Sequence, residues 1–407
     1  MRSLLIACLA LQTLLSTGSL SAQEKNQKTS APTGLRNPVV RPTMALRNDV
    51  TRVSTWDLWE AYKRGFLDES GRIVDHDDGA RTTSEAQAYG LFFALVANDR
   101  MAFDRILQWT QTNLAEGDLT SNLPAWLWGC DPQGNWHVLD KNPASDADLW
   151  MSYALIQAGR LWQEPAFLKL GDAIAGQVAR RSVIKMPLVG TVLLPAPIGF
   201  SSKDYVELNP SYMPVQVLYG LAAELPNGPW VQIADNTPAV VRHASPHGFV
   251  LDWVKYTRER GWEPGNGPAP EPRASFDAIR VYLWAGMTDP HTRGRKELLA
   301  ALHGMRSYMQ GNFYPPMIVS AEGKVAAGHA GVGYSAALLP FLKVVGNSKA
   351  LTLQLSRLDI AQGPQSALYG EPPRYYDQNL ALFGTGWIQN LFRFTPEGQL
   401  EVRWRSK

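Results

Sequence analysis

Three short segments carry acidic residues where a plain helix has no need of them. The first is Thr82-Thr83-Ser84-Glu85-Ala86-Gln87-Ala88-Tyr89-Gly90, which places Glu85 in the first turn of a predicted helix that Ser84 can cap. A Glu at that position also complements the helix dipole without any chemistry. The helix continues as Leu91-Phe92-Phe93-Ala94-Leu95-Val96-Ala97, however, so it is apolar on most faces and its start is expected near the protein interior. Desolvation there raises a carboxyl pKa, which suits a general acid working near neutrality. The second segment, Ala144-Ser145-Asp146-Ala147-Asp148-Leu149-Trp150, opens another apolar helix. Ser145 or Asp146 can cap it, but residues two apart do not share a helix face, so one structural duty does not cover both Asp146 and Asp148. The third, Ser275 to Trp284, sets Asp277 three residues before Arg280, close enough for a helical ion pair that keeps Asp277 ionised as a base or substrate ligand.

Three interior acids on separate helices suit one reaction type above others. Cleavage of a glycosidic bond needs an acid to protonate the leaving oxygen and a second carboxylate to activate water or attack the sugar. Trp126, Trp128, Tyr212 and Trp284 lie near these segments in sequence, and aromatic faces give flat platforms for pyranose rings. Competing chemistries are poorly served. The chain has no G-x-S-x-G elbow, no H-E-x-x-H and no P-loop. His137, His243, His247, His291, His303 and His329 are scattered without ligand spacing, and no His accompanies Asp146 and Asp148, so neither metal nor cofactor is expected. The Gly-rich run from Gly328 to Gly333 follows no clear strand and reads as a loop entering a helix.

The elements that must hold these acids are mostly helical. After Trp56, Trp59, Ala61, Tyr62 and Phe66 at helical spacing, and the helix after Ser84, the periodicity predicts helices over 100–115, 146–163, 165–181, 210–224, 229–243, 249–261, 275–287, 291–310, 331–345, 348–360 and 376–392. Two β-like runs interrupt them, Trp136 to Leu139 and Met186 to Pro195. About a dozen helices arriving in pairs fit two concentric rings of six in one domain over 51–407, an all-α architecture with a few short β segments in its loops.

The 407 residues are 45% hydrophobic and 19% charged, with net charge +2, which supports a large core and leaves no basic stripe for nucleic acid. Residues 1–22 read as a signal peptide: Arg2, the apolar run Leu4 to Leu15, and a small-residue exit ending at Ala22. That run is too short to span a bilayer, and no other stretch reaches the length needed. Residues 23–50 are polar and Pro-punctuated, a flexible lead-in. Cys8 leaves with the signal, so Cys130 has no disulfide partner in the mature chain.

Asp146 and Asp148 with Met151 and Trp162 resemble the signature of glycoside hydrolase family 8. So do Thr83 to Gly90, Leu123 to Gly129, Asn209-Pro210-Ser211-Tyr212 and Phe276 to Tyr282, which look closest to the branch of periplasmic endoglucanases from bacterial cellulose-synthase operons. The resemblance runs from about Trp56 to Phe394. It implies an (α/α)6 barrel that hydrolyses β-1,4-glucan with inversion, with Glu85 as proton donor and Asp277 as general base. Asp146 matches an acid often labelled nucleophile, and in an inverting enzyme its task is to hold and distort the sugar. Arg280, Tyr212 and Asp148 match substrate-side positions, and Trp126 or Trp128 is the expected stacking platform. Ala86 and Ala147 stand where relatives commonly carry Gly. The implied setting is cellulose synthesis and export, in the periplasm or otherwise secreted, with the synthase and export complex as an implied partner. Chitosan, xylan or mixed-linkage glucan as substrate, or a non-catalytic glycan-binding subunit, are the alternatives.

Overall fold

The computed structural model describes residues 56–363 and 366–405; the expected signal peptide and lead-in lie outside the described residues. Among the described residues there are thirteen α-helices. In chain order they are α1 (Asp57–Phe66), α2 (Ser84–Val96), α3 (Arg100–Leu114), α4 (Ser145–Trp162), α5 (Pro165–Arg181), α6 (Val215–Glu224) and α7 (Trp230–His243). They continue with α8 (Ala278–Met287), α9 (Arg295–Ala301), α10 (His303–Gly311), α11 (Val332–Val344), α12 (Ser348–Ala361) and α13 (Tyr375–Ile388).

Burial sorts them into two layers. In α2, α4, α6, α8, α11 and α13 most residues on every face are buried, as their near-continuous apolar sequences require. Neighbours in that list pack side by side, and Phe383 of α13 closes the ring against Phe92 (5.3 Å) and Phe93 (4.7 Å) of α2. The remaining helices bury one stripe only: Leu58, Trp59, Ala61, Tyr62 and Phe66 in α1, for example. They form the outer ring, with α3 on α2, α5 on α4, α7 on α6, α9 on α8, α12 on α11 and α1 on α13. The result is an (α/α)6 barrel. Outer helices intervene between successive inner ones, α9 and α10 together between α8 and α11, and the N-terminal ends of α2, α4, α8 and α13 gather at one end of the barrel.

The barrel axis is filled by aromatic rings. Trp150 of α4 lies 5.1 Å from Phe92, 5.2 Å from Phe383 and 5.2 Å from Trp284 of α8, in edge-on or tilted arrangements favourable for ring quadrupoles. Short strands occupy the loops: β1 (Thr82–Thr83), β2 (Leu127–Cys130), β3 (Trp136–Asp140), β4 (Val183–Met186), β5 (Gly190–Leu193) and β6 (Tyr205–Leu208). They continue as β7 (Val254–Thr257), β8 (Gly261–Pro264), β9 (Arg273–Ala274), β10 (Val319–Ser320), β11 (Phe392–Phe394) and β12 (Leu400–Val402). All their pairings are antiparallel, in the sheets β1-β2-β3 and β6-β7-β8 and the ribbons β4-β5, β9-β10 and β11-β12.

The β-like run Trp136 to Leu139 is β3, and the run Met186 to Pro195 holds β5 and the turn before it, while β4, its hairpin partner, begins earlier at Val183. The helix expected over 249–261 is not present. Val254-Lys255-Tyr256-Thr257 instead forms the centre strand of the β6-β7-β8 sheet, since β-branched and aromatic residues fit a pleated surface better than a helix. The segment 291–310 holds two helices parted at Leu302 (φ −98°, ψ 22°). The start of 210–224 is a 3-10 turn, Pro210–Tyr212, and α6 begins only after Pro214. Thr83, not Ser84, caps α2, its Oγ1 accepting from Ala86 N at 3.1 Å. Neither Ser145 nor Asp146 caps α4: the Ser145 hydroxyl donates to Leu194 O (2.6 Å), and Asp146 Oδ1 accepts only from Ala147 N (2.8 Å).

Close approach of inner helices depends on two glycines. A Cβ on Gly384 of α13 would stand 1.9 Å from Ala336 O of α11, and one on Gly286 of α8 would stand 2.2 Å from Phe341 N of α11. Both obstacles are backbone, which cannot rotate aside. Gly384→Ala is expected to destabilise the barrel by at least about 1–3 kcal/mol, the usual range for overpacking. Gly311→Ala, at a site with open space around it, should be neutral or mildly stabilising. Equal unfolding midpoints in urea for the two variants would contradict this account of the inner-ring packing.

Candidate active site

The N-terminal ends of the inner helices surround a groove lined by Asp75, Thr83, Glu85, Trp126, Asp146, Tyr212, Phe276, Asp277, Arg280 and Tyr376, among others. Each acid is placed by a local device. Ser84 N donates to Trp126 O at 3.0 Å, and β1 pairs with β2, so the start of α2 brings Glu85 beside Trp126. Ser145 is tied by its backbone to Pro195 O (2.9 Å) and by its hydroxyl to Leu194 O, which orients the first turn of α4 and Asp146. Asn209 braces the turn before α6: its Oδ1 accepts from Ser211 N (3.0 Å) and Ser211 Oγ (2.7 Å), while its Nδ2 donates to Asp277 Oδ2 (2.9 Å).

Arg280 joins the three acids. Its Nη1 donates to Glu85 Oε2 and, at 3.3 Å each, to Asp146 Oδ2 and Tyr89 Oη. Its Nη2 donates to Asp277 Oδ1 (2.7 Å) and Ser211 Oγ (3.0 Å). The Tyr212 ring lies 5.8 Å from the guanidinium carbon, within cation–π range. The expected pair with Asp277 is therefore present, but it is one arm of a network in which Arg280 has five hydrogen-bond partners.

Burial divides the acids differently from expectation. Glu85 is the most open, its side chain 22% exposed toward the groove, against 10% for Asp277 and 4% for Asp146. The carboxyl that burial lifts is Asp146, pushed up to about 7: Arg280 pulls it down, while the charges of Glu85 and Asp277 push it further up. Asp148 is fully buried, neither oxygen has a hydrogen-bond partner, and burial followed by the charge of Asp146 raises it well above the carboxylate range. Asp148 does not line the groove, because two residues along a helix its side chain faces away from Asp146. Trp126 is the indole in the groove wall. Trp128 is packed between Trp109 (5.5 Å) and Trp136 (5.1 Å), beneath the guanidinium of Arg72 (4.4 Å), and Trp284 is buried with its Nε1 donating to Ser211 O (3.0 Å).

Several groups at this site were not singled out from the sequence. Tyr376, at the start of α13, donates its hydroxyl to Phe276 O at 2.5 Å and faces the groove. Burial, and then the neighbouring carboxylates against Arg280, keeps its phenol protonated well beyond the ordinary range. Asp75 and Arg81 join the wall from the loop before α2. Asp252, ahead of β7, is buried behind Asp277 and pushed up to about 7 by burial and by the charge of Asp277. The only sequence signal for these groups is polarity in loops that precede inner helices.

A raised carboxyl pKa makes native stability depend on pH. The folded state holds the Asp146 proton more tightly than the unfolded chain does, so stability falls as pH rises from about 4 to about 7 and then levels off. Asp146→Asn removes that cost. It should stabilise the fold at pH 8 by up to a few kcal/mol and by much less at pH 5. Thermal unfolding of both proteins at the two pH values checks this, and a gain that does not shrink toward pH 5 would refute it.

Comparison with known proteins agrees with this architecture. Residues 42–390 match Glycosyl hydrolases family 8. An endoglucanase of Xanthomonas axonopodis pv. citri is 42% identical over 353 residues, covering 86% of this chain and 90% of the relative. An endoglucanase of Escherichia coli strain K12 is 38% identical over 372 residues, covering 91% and 97% respectively. The crystal structure of an endo-1,4-D-glucanase from Vibrio fischeri ES114 superposes with a TM-score of 0.76 at 37% identity, covering 86% of this chain and all of that one. With an (α/α)6 barrel, an acid cluster at the inner-helix N-termini and a family match across most of its length, this chain belongs to glycosyl hydrolase family 8.

Proposed function

We propose that this protein is an endo-β-1,4-glucanase that cleaves its substrate with inversion. The observation that carries the reading is the placement of Glu85 and Asp277. They lie on α2 and α8, the first and fourth of the six inner helices, and face each other across Arg280 in an open groove. A glucan chain lying along the groove has one carboxyl on each side of the bond to be cut. Glu85, the more solvent-facing, gives its proton to the leaving oxygen. Asp277, held by Asn209 and Arg280, takes the proton of the attacking water on the opposite face. Glu85 can deliver a proton only when released from Arg280, so sugar entry must separate that pair.

Asp146 shares the Arg280 Nη1 with Glu85 and lines the groove with Tyr212, which supports a role in accepting a hydroxyl of the ring at the cleavage point. Hydrogen bonds there that tighten as the ring flattens contribute to transition-state binding. Trp126 supplies a flat wall for an adjoining ring. Endoglucanase is the name borne by relatives at 38–42% identity, which supports β-1,4-glucan as the chain that fills the groove.

The cellular setting is part of the proposal. The leader at 1–22 supports export, with the periplasm as destination, and the likeness to glucanases of cellulose-synthase operons supports trimming of nascent glucan beside the synthase and export complex. Among the described residues no helix is long and apolar enough to cross a membrane.

Glu85→Gln should lower kcat on a soluble cellulose derivative by about two to four orders of magnitude. Near wild-type activity in that variant would remove Glu85 from the acid role. Proton NMR of fresh cello-oligosaccharide products should show the α-anomer first; initial β-anomer would mean retention and make Asp146 the nucleophile. Product from chitosan or xylan alone would replace the substrate.

A further inference from the structure

Asp277 occupies the N-cap position of α8 but does not cap it. Its backbone is already helical (φ −77°, ψ −46°) and its side chain makes no cap hydrogen bond. Both its oxygens point into the groove network instead, one to Asn209 and one to Arg280. Asp is among the preferred N-cap residues because its oxygen satisfies the orphan amides of the first turn. Here that duty falls to another residue. Asp252 Oδ1 accepts from Ser275 N (2.8 Å) and Ala278 N (2.8 Å), and its Oδ2 accepts from Ser275 Oγ (2.5 Å). Its backbone N–H donates to Arg273 O (2.8 Å), fixing Asp252 to the strand that leads into the site.

We infer that Asp252 is the positioning residue for Asp277: it caps α8 from outside and leaves the Asp277 carboxylate free for chemistry. The three donors bracket Asp277, two residues before it and one after, so its backbone is held on both sides. Asp252 and Asp277 also share the wall of a small cavity with Arg273, Ser275 and Phe276, on the side away from Glu85. The two acids are thus close and separately held, one by amides and a hydroxyl, the other by Asn209 and Arg280. A carboxylate suits the first task because it only accepts, and its side chain meets two backbone amides and a hydroxyl that all donate to it. An amide in its place is an uncharged, weaker acceptor for the two backbone amides, and its NH2 group can be met only by reversing the Ser275 hydroxyl bond.

The inference rests on the reading of Asp277 as general base. The test is a double-mutant cycle on cello-oligosaccharides using Asp252→Asn, Asp277→Asn and the pair. Asp252→Asn is expected to lower kcat roughly tenfold to a hundredfold, the scale of a small misplacement of a reacting group, with KM changed less than about twofold. In the Asp277→Asn background it should cost nothing further, because the residue it positions has gone. Multiplying losses in the double variant, or wild-type kcat in Asp252→Asn, would overturn the inference. Thermal unfolding checks that the variants are folded. If Asp252→Asn does not fold, Ser275→Ala replaces it, removing one of the three bonds, and its smaller loss of kcat must likewise vanish without Asp277. Full activity in Asp277→Asn alone would overturn the base assignment instead, which keeps the two failures apart.

Discussion

The whole site depends on one buried guanidinium. Arg280 is almost fully enclosed and touches Glu85, Asp146 and Asp277, three acids from three inner helices. Burying a cation is unfavourable, and its surroundings show the compensation: desolvation works against its charge while Glu85, the tyrosines and Asp277 hold it on. The converse is as strong. Without Arg280, three carboxylates would meet with no cation between them and repel one another. A lysine keeps the charge but not the fork that reaches Asp277 from one nitrogen and Glu85 and Asp146 from the other.

That arrangement is possible only because the barrel brings like helix ends together. The intervening outer helices leave the starts of α2, α4, α8 and α13 at the groove, and each terminus carries partial positive charge from its unpaired amides. Glu85, Asp146 and Asp277 all sit in or at first turns. Beneath them the ring cluster of Tyr89, Phe92, Trp150, Trp284 and Phe383 gives a stiff apolar floor. Asp146 is buried at the edge of the groove, and burial is the first cause of its raised pKa. Packing and electrostatics meet in Tyr89, whose ring joins this cluster while its hydroxyl oxygen accepts from Arg280.

The inner helices that carry the site acids were legible because each shows a largely apolar run opened by an acidic residue, as in Ser84–Val96 and Ser145–Trp162. What could not be read was how they meet. Arg280 stands three residues from Asp277, a spacing that advertises a local pair, but its contacts with Glu85 and Asp146 span 195 and 134 residues. Asp252 escaped notice for a different reason. It lies in the stretch taken for a helix over 249–261, where an acid among apolar residues looks like a solvent-facing position, and only the true β6-β7-β8 sheet turns it toward Ser275. Asp148 shows the opposite error: two acids in one signature looked like two substrate ligands, while helix geometry sends the second into the core.

Asp148 and Asp252 also show that burial alone does not mark a catalytic carboxyl. Both are enclosed and both are raised, yet Asp148 has no hydrogen-bond partner and Asp252 has three donors around it. An unpartnered carboxyl in the core is tolerable only in its neutral form, where it behaves as a small polar side chain with one proton to place. A carboxyl facing donors alone is useful only as an acceptor. Asp146 lies between these limits, with one amide and one guanidinium nitrogen in reach, which is why a sugar hydroxyl entering the groove would find it in whichever form completes the bond. The surroundings of each acid, more than its depth, separate the one that supports the core from the one that holds the helix and those that face the groove.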